Sequence, residues 1–128
     1  MRRFLELNEE TKSAAICDVE EWGYPREVTQ AEVDHGIWLR YGLDCIIWFT
    51  MHDLGQLGVH ICIEPGSRYG RAVTRKLLTG IDVIGELLGA ESVCAIPMPG
   101  LEEIHSYCKR LGWVLNSTGW YIHRLGDE

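Results

Sequence analysis

The sequence predicts an α/β fold in which helices flank a mixed β-sheet. Apolar residues recur every three to four positions in some segments, as at Val73, Leu77 and Ile81, which is the helical period. Other segments, such as residues 37–41 and 45–51, are rich in β-branched and aromatic residues, which is typical of strands. The two kinds of segment follow one another in the order β, α, α, β, β, β, α, β, α, β, β, and this order predicts a sandwich of helices on a mixed sheet.

Length and composition predict one globular domain over residues 1–128. The chain has 46% hydrophobic and 24% charged residues, which is ordinary for a soluble domain with a core of its own. No run approaches the ~20 apolar residues of a membrane span, and residues 1–7 lack the apolar core of a secretory signal. The net charge of −7 argues against a nucleic-acid surface.

The cysteines predict a reducing compartment. There are five, an odd number, and no C-x-x-C spacing occurs, so neither a disulfide framework nor a zinc knuckle is expected. We expect reduced thiols that serve as small core residues in a cytoplasmic protein.

Local capping signals place the first helices. Residues 3–7 form a short predicted strand, and Asn8 is a good helix N-cap with acidic residues in the following turn. Thr29 and Glu32 have the spacing of a capping box, which predicts a second short helix that runs to Gly36.

Strands dominate the middle of the chain. Residues 37–41 and 45–51 are predicted to pair as a hairpin, and residues 57–64 form a third strand. Side chains alternate between the faces of a strand. One face of the third strand therefore carries Val59, Ile61 and Ile63, and the other carries His60, Cys62 and Glu64.

Two helices, one strand and a hairpin complete the prediction. The helix over residues 70–88 contains Gly80 and Gly85. Each glycine lowers the helix stability by roughly 1 kcal/mol relative to alanine, and we expect both to permit close packing on the sheet. A strand over residues 91–96 follows. A second apolar stripe and a closing hairpin then occupy the last third of the chain: Leu101, Ile104, Cys108 and Leu111, then residues 114–115 and 120–125.

The junction between residues 61 and 78 predicts an anion site. A strand ends at Pro65, a glycine-bearing loop follows, and a helix opens near Gly70, so free backbone N–H groups and the positive end of the helix dipole face the same place. Four of the twelve basic residues of this acidic chain lie there, namely Arg68, Arg71, Arg75 and Lys76. A local phosphate partner is indicated, and the alternative is a solvated helix face beside a tight turn.

Two sequence motifs in this layout resemble the GNAT N-acetyltransferase superfamily. Ile63-Glu-Pro65 followed by Arg68-Tyr-Gly70-Arg71-Ala72 is similar to the V-x-P-x-x-R-G-x-G-x-G/A loop of that family, with Tyr69 as an extra residue. Cys108-Lys-Arg-Leu-Gly112-Trp113 is similar to its Y-x-K-x-G-F motif, with cysteine in place of tyrosine. The resemblance covers residues 5–125.

The resemblance implies a GNAT-like mixed β-sheet flanked by helices and acetyl-CoA or coenzyme A as the cofactor. The loop amides and Arg71 would hold the pyrophosphate, while Arg75 or Lys76 would reach the adenosine 3′-phosphate. The implied cofactor-binding set is Arg68, Gly70, Arg71, Ala72 and Arg75.

Catalytic roles follow from the same comparison. The family tyrosine that protonates the leaving thiolate aligns with Cys108, whose place on an apolar stripe favours core packing. Water or Tyr107 is therefore the candidate acid. Glu64 is the candidate general base, acting through water. Its alternative role is an ion pair with Arg68 or Arg71.

His60 is a second candidate base, although a histidine on a strand face is more often a hydrogen-bonded structural residue. A zinc site on His60, Cys62 and Glu64 is not predicted, because residues two apart on a strand lie about 6.6 Å apart.

Two functions follow. The first is acetyl-CoA-dependent N-acetylation of an amine, and the acidic surface would suit a cationic acceptor. The alternative is a catalytically weak or inactive GNAT-like binding or structural module, similar to small acetyltransferase-like proteins of tailed bacteriophages. The five tryptophans and the closing hairpin further predict a homodimer, or a contact with a protein partner, through residues 113–125.

Overall fold

The structure is a computed structural model that describes residues 3–52, 55–67, 71–95, 102–117 and 119–125. The side chains of Arg71 and of residues 102–104 lie outside this description. Within these ranges the elements follow one another in the predicted order.

The elements begin and end close to their predicted boundaries. The strands are β1 (Phe4–Glu6), β2 (Ile37–Tyr41), β3 (Cys45–Met51), β4 (Gln56–Ile63), β5 (Ser92–Ala95), β6 (Val114–Leu115) and β7 (Tyr121–Arg124). The helices are α1 (Glu9–Glu21), α2 (Gln30–His35), α3 (Arg71–Leu87) and α4 (Glu102–Arg110).

The strands form one mixed sheet in the order β1-β2-β3-β4-β5-β7-β6. β1 with β2, β2 with β3, β5 with β7 and β6 with β7 pair antiparallel. β4 and β5 pair in parallel, with Gln56 opposite Ser92 and Val59 opposite Ala95. The predicted α/β fold, a mixed sheet flanked by helices, is confirmed.

The chain divides into two compact units. One consists of Met1–Thr50 with His60–Ser67, and the other of Met51–Val59 with Arg68–Glu128. The prediction of a single domain over residues 1–128 stays a prediction.

The first unit is organised by α1 and α2. The Asn8 side chain accepts a hydrogen bond from the Thr11 backbone N–H at 2.9 Å, which confirms the predicted N-cap. The predicted capping box of Thr29 and Glu32 is also present. The buried core of this unit consists of Ala15, Val19, Trp38, Ile46, Trp48 and Cys62.

The second unit is organised by α3, whose Leu77, Leu78 and Ile81 are buried. A Cβ added at Gly85 would lie 2.8 Å from Leu125 Cδ1 and 3.3 Å from Val93 Cγ1. This confirms the prediction that Gly85 permits close packing on the sheet.

The cysteines are all free thiols, and the prediction that they are core residues is right for Cys45, Cys62, Cys94 and Cys108. It is wrong for Cys17, which is exposed. The helical period explains the difference, because Cys17 lies two residues from both Ala15 and Val19 and therefore about 200° around α1 from the buried stripe.

The closing hairpin exposes aliphatic side chains. Val114 and Leu115 are 66% and 47% exposed, whereas Trp113 is buried and Trp120 is half-buried. The aromatic patch expected there is therefore smaller than the sequence suggested, and the homodimer through residues 113–125 stays a prediction. Among the described residues, no helix is both long and apolar enough to cross a bilayer.

Candidate functional site

A tight turn places Glu64 at the exposed end of β4. The Ser67 N–H donates to the Glu64 carbonyl oxygen at 3.1 Å, and Gly66 between them has a φ of +89°. Pro65 and Gly66 are the residues that a type II turn favours at its first and second central positions. The Glu64 N–H is anchored to the Asp44 carbonyl at 2.8 Å, and its side chain is exposed to water.

The predicted phosphate-binding residues lie around the start of α3. Arg68 and Gly70 lie outside the described residues, and α3 begins at Arg71. Ala72 and Arg75 are exposed on this helix. The first turn carries no acidic residue, so no carboxylate of that turn neutralises the positive end of the helix dipole.

The two candidate residues on α4 differ in exposure. Cys108 is 2% exposed, and burial together with the negative charge of Asp82 raises the pKa of its thiol to about 12. This burial agrees with core packing. Tyr107 is half-buried, and the guanidinium of Arg110 lies 5.6 Å from the centre of its ring.

An ion pair between the buried Glu32 and the exposed Arg26, which the sequence analysis did not predict, lies in the first unit. Glu32 Oε1 accepts a hydrogen bond from Arg26 Nη1 at 2.7 Å, and Glu32 Oε2 accepts one from Arg26 Nη2 at 2.9 Å. Oε1 also accepts from the Thr29 N–H at 2.9 Å, and Oε2 from Trp48 Nε1 at 2.6 Å. The carboxylate is thus bound by four donors, as a buried charge requires.

These contacts determine the charge states. Burial alone would raise the pKa of Glu32, but the hydrogen bonds from Arg26, Trp48 and Thr29 outweigh it and hold the pKa well below its ordinary range. The hydrogen bond to Glu32 raises the pKa of Arg26. Burial raises the pKa of the neighbouring Tyr24 to about 12, so this hydroxyl stays protonated at neutral pH.

His60 extends this arrangement along β4. Its Nδ1 lies 3.3 Å from Arg26 Nη2, and its Nε2 lies 3.2 Å from Thr50 Oγ1 and 3.7 Å from Glu32 Oε2. Its ring stacks on Trp48 with centroids 5.2 Å apart and an interplanar angle of 12°. Both ring nitrogens are therefore engaged, as expected of a structural histidine. We call Arg26, Glu32, Trp48, Thr50 and His60 the polar cluster.

One contact of the polar cluster follows from a local sequence signal. As the third helical residue of a capping box, Glu32 is expected to accept a hydrogen bond from the Thr29 backbone N–H. Its bonds to Arg26 and Trp48 join segments that no short motif links. Among the described residues, no three His, Cys, Asp or Glu side chains come together in a way that could hold a metal ion.

Comparison with solved structures identifies the fold. An acetyltransferase of the GNAT family from Staphylococcus aureus Mu50 superposes with a TM-score of 0.72 at 11% identity, over 98% of this chain and 99% of that one. The Salmonella typhimurium protein yncA, with its cofactor acetyl-CoA, superposes with a TM-score of 0.69 at 11% identity, over 99% and 95%. The ribosomal-protein-S18-alanine N-acetyltransferase from Escherichia coli gives 0.62 at 15% identity, over 98% and 93%.

No protein-family model matches the sequence, and no curated protein matches it by sequence. The similarity therefore lies in the three-dimensional structure, and it extends over nearly the full length of each chain compared. The chain has the GNAT acetyltransferase fold.

Proposed function

We propose that the protein is an acetyl-CoA-dependent N-acetyltransferase that acts on an amine. The observation that carries this proposal is the full-length superposition on GNAT acetyltransferases, one of them with acetyl-CoA. Fold alone never settles function, so the residues of this chain must fit the chemistry.

The start of α3 fits a phosphate-bearing cofactor. A helix N-terminus presents unpaired N–H groups, its first turn here has no acidic residue, and Arg75 and Lys76 are exposed just beyond it. Arg68, Gly70, Arg71 and Ala72 complete the proposed binding set. Acetyl-CoA would supply the activated acetyl group.

The residues of this chain would move the protons. Glu64, exposed at the end of β4, would accept a proton from the acceptor ammonium through water, which leaves the amine nucleophilic. Tyr107 would donate a proton to the departing thiolate. Cys108 is unsuited to that role, because it is buried in the core.

The alternative is a GNAT-like binding or structural module without catalysis, in the cytoplasm or in association with a phage particle. One observation favours it: the family position of the acid is occupied by Cys108, a buried thiol. Under this proposal coenzyme A binds and no acetyl transfer follows.

Calorimetry with coenzyme A tests the cofactor site. Charge-assisted bonds to phosphate contribute about 1.5–3 kcal/mol each, so we expect Arg71→Glu to weaken binding by at least about tenfold. Arg3→Glu, which makes the same change in net charge on an exposed residue ahead of β1, is the control and should leave binding nearly unchanged.

Acetyl transfer to a panel of amines separates the two functions. Glu64→Gln should lower the rate and leave coenzyme A affinity nearly unchanged. Binding without transfer to any amine would favour the inactive module, and the absence of binding heat at millimolar coenzyme A would contradict both.

A further inference from the structure

A cavity of about 490 Å³ lies beside the closing hairpin of β6 and β7, within the second unit. Sites for small molecules have volumes of about 300–1,000 Å³, so this cavity is large enough for one. None of its lining residues belongs to the proposed cofactor-binding set or is a candidate for proton transfer, so the proposed function does not account for it. The lining residues are Gly112, Val114, Asn116, Ile122, His123 and Arg124.

The side chains of the hairpin alternate between the two faces of the sheet. His123 Nδ1 lies 3.0 Å from Asp82 Oδ1 on α3, so the His123 side chain lies on the face that α3 covers. Ile122 and Arg124 flank His123 on β7 and therefore point to the opposite face. Val114 is paired with Ile122 in the antiparallel register and shares that face. Two aliphatic side chains and one guanidinium of the lining thus lie on the same face of the hairpin.

The lining is mainly hydrocarbon. Val114 is 66% exposed and Ile122 is half-buried. Gly112 adds no side chain, and a Cβ placed there would meet no atom within 4 Å, so the space beside the aliphatic pair is open. An apolar group bound in this space would remove the aliphatic surface of Val114 and Ile122 from water, which is favourable.

The charge of the lining is positive. Among the residues that line the cavity none is acidic, whereas Arg124 contributes a guanidinium, although the whole chain has a net charge of −7. The planar fork of a guanidinium matches the two oxygens of a carboxylate and can bind them through two parallel hydrogen bonds. A carboxylate is therefore the polar group that this cavity would select.

Backbone and side-chain bonds fix the end of the hairpin that closes the cavity. Asn116 Oδ1 accepts a hydrogen bond from the Trp120 N–H at 2.9 Å, and the Asn116 N–H donates to the Trp120 carbonyl oxygen at 2.8 Å. Because the lining residues lie on a hairpin that is held in this way, the cavity is formed before any ligand binds. A preformed site loses little free energy to ordering on binding.

We infer that this cavity binds a carboxylate that carries an aliphatic chain. The guanidinium of Arg124 binds the carboxylate, and the chain packs on Val114 and Ile122. The site is a second ligand site in the second unit, separate from the proposed acetyl-CoA site at the start of α3. The inference therefore does not depend on the proposed function.

Matched probes test the two parts of the ligand. Hexanoate, hexanol and hexylamine share one chain and differ in the polar end, and acetate keeps the carboxylate without the chain. Each is titrated at millimolar concentration into methyl-labelled protein, and the NMR signals of Val114 and Ile122 are followed. Leu115 is the internal control, because it is 47% exposed on the same strand as Val114 but points to the opposite face.

We expect hexanoate to shift the Val114 and Ile122 methyl signals and to leave those of Leu115 in place. Hexanoate should bind at least about tenfold more tightly than hexanol, because of the charge-assisted bonds to Arg124. It should exceed acetate by at least about tenfold as well, since acetate lacks the methylene groups that the cavity would bury. Equal binding of hexanoate and hexylamine, or tighter binding of hexylamine, would overturn the inference, because it would show that the net charge of the chain decides.

A charge substitution locates the carboxylate. Arg124→Gln should lower the affinity for hexanoate to that for hexanol. Lys109→Gln removes the same charge from an exposed position on α4 and should leave the affinity for hexanoate nearly unchanged. Arg124 is itself exposed, so we expect the variant to keep the fold, which circular dichroism checks. An unchanged preference for hexanoate in Arg124→Gln would contradict the assigned site.

The predicted homodimer gives a further test, because the cavity lies in the same part of the chain. A second copy that covers residues 113–125 would exclude hexanoate from Val114 and Ile122. Sedimentation at the protein concentration of the titration shows which species is present. A dimer whose Val114 and Ile122 signals do not respond to hexanoate would overturn the inference.

Discussion

The two units bury a tryptophan in opposite ways. Trp48 in the first unit is 0% exposed, and its indole N–H donates to the Glu32 carboxylate at 2.6 Å. Trp113 in the second unit is 3% exposed, and its indole N–H has no hydrogen-bond partner in the described part of the chain. The two indole rings are almost equally buried, but they are held by different interactions. A hydrogen bond to the Glu32 carboxylate helps to hold Trp48, whereas packing holds Trp113.

The polar groups near Trp113 are paired with one another. His123 stacks on the Trp113 ring with centroids 5.3 Å apart, and its Nδ1 lies 3.0 Å from Asp82 Oδ1. The face of the His123 imidazole thus packs on the Trp113 indole, and the imidazole Nδ1 forms its hydrogen bond with Asp82. Among the described residues, the buried indole N–H of Trp113 therefore remains without an acceptor.

The largest effect that tests this comparison is expected for Glu32→Gln. Glu32→Gln weakens the charge-assisted hydrogen bonds from Arg26 and Trp48, which contribute about 1.5–3 kcal/mol each, and we expect a total loss of about 3 kcal/mol because the Arg26 side chain is 40% exposed and keeps some hydration. Chemical denaturation measures the change. Asp34→Asn on the same helix is the control, because this residue is exposed and should change stability by less than about 0.5 kcal/mol.

The same pair predicts a pH dependence. The folded pKa of Glu32 is depressed, so its contribution is fully present above the unfolded value of about 4.3 and is lost as the pH falls towards the folded pKa. The stability difference between wild type and Glu32→Gln should therefore shrink from about pH 7 to about pH 3. A difference that stays constant over this range would contradict the assigned ion pair.

Local chemistry explains which features the sequence could predict. The Asn8 cap, the Thr29–Glu32 capping box and the element order depend on residues a few positions apart, and each was found where expected. The bond from Trp48 to Glu32 spans sixteen positions, and several other acids could have met that indole. Periodicity and residue spacing therefore could not predict the polar cluster. Arg68 and Gly70 of the predicted cofactor loop lie outside the described residues, so their roles stay predictions.

A matched pair of substitutions measures the contrast between the two tryptophans directly. Trp48→Phe and Trp113→Phe remove the same atoms from two buried sites, but only the first breaks a hydrogen bond to a carboxylate. Because such bonds contribute about 1.5–3 kcal/mol, Trp48→Phe should destabilise the protein by about 2 kcal/mol more than Trp113→Phe. Equal losses in chemical denaturation would show that the Trp48 hydrogen bond contributes nothing net.

The smallest effect is expected for Gly85→Ala, which asks how tightly the second unit is packed. Alanine gains about 1 kcal/mol of helix propensity. Its methyl group would lie 2.8 Å from Leu125 Cδ1, a flexible end that can move, and 3.3 Å from Val93 Cγ1 in a fully buried side chain. The gain in helix propensity and the cost of the two close contacts nearly cancel, so we expect the free energy of unfolding to fall by less than about 1 kcal/mol. In a Leu125→Ala background the nearer obstacle is gone, and Gly85→Ala should become more favourable by about 1 kcal/mol in a double-mutant cycle. Additive effects would show that α3 shifts to relieve the contact, and that packing in this unit is looser than the distances indicate.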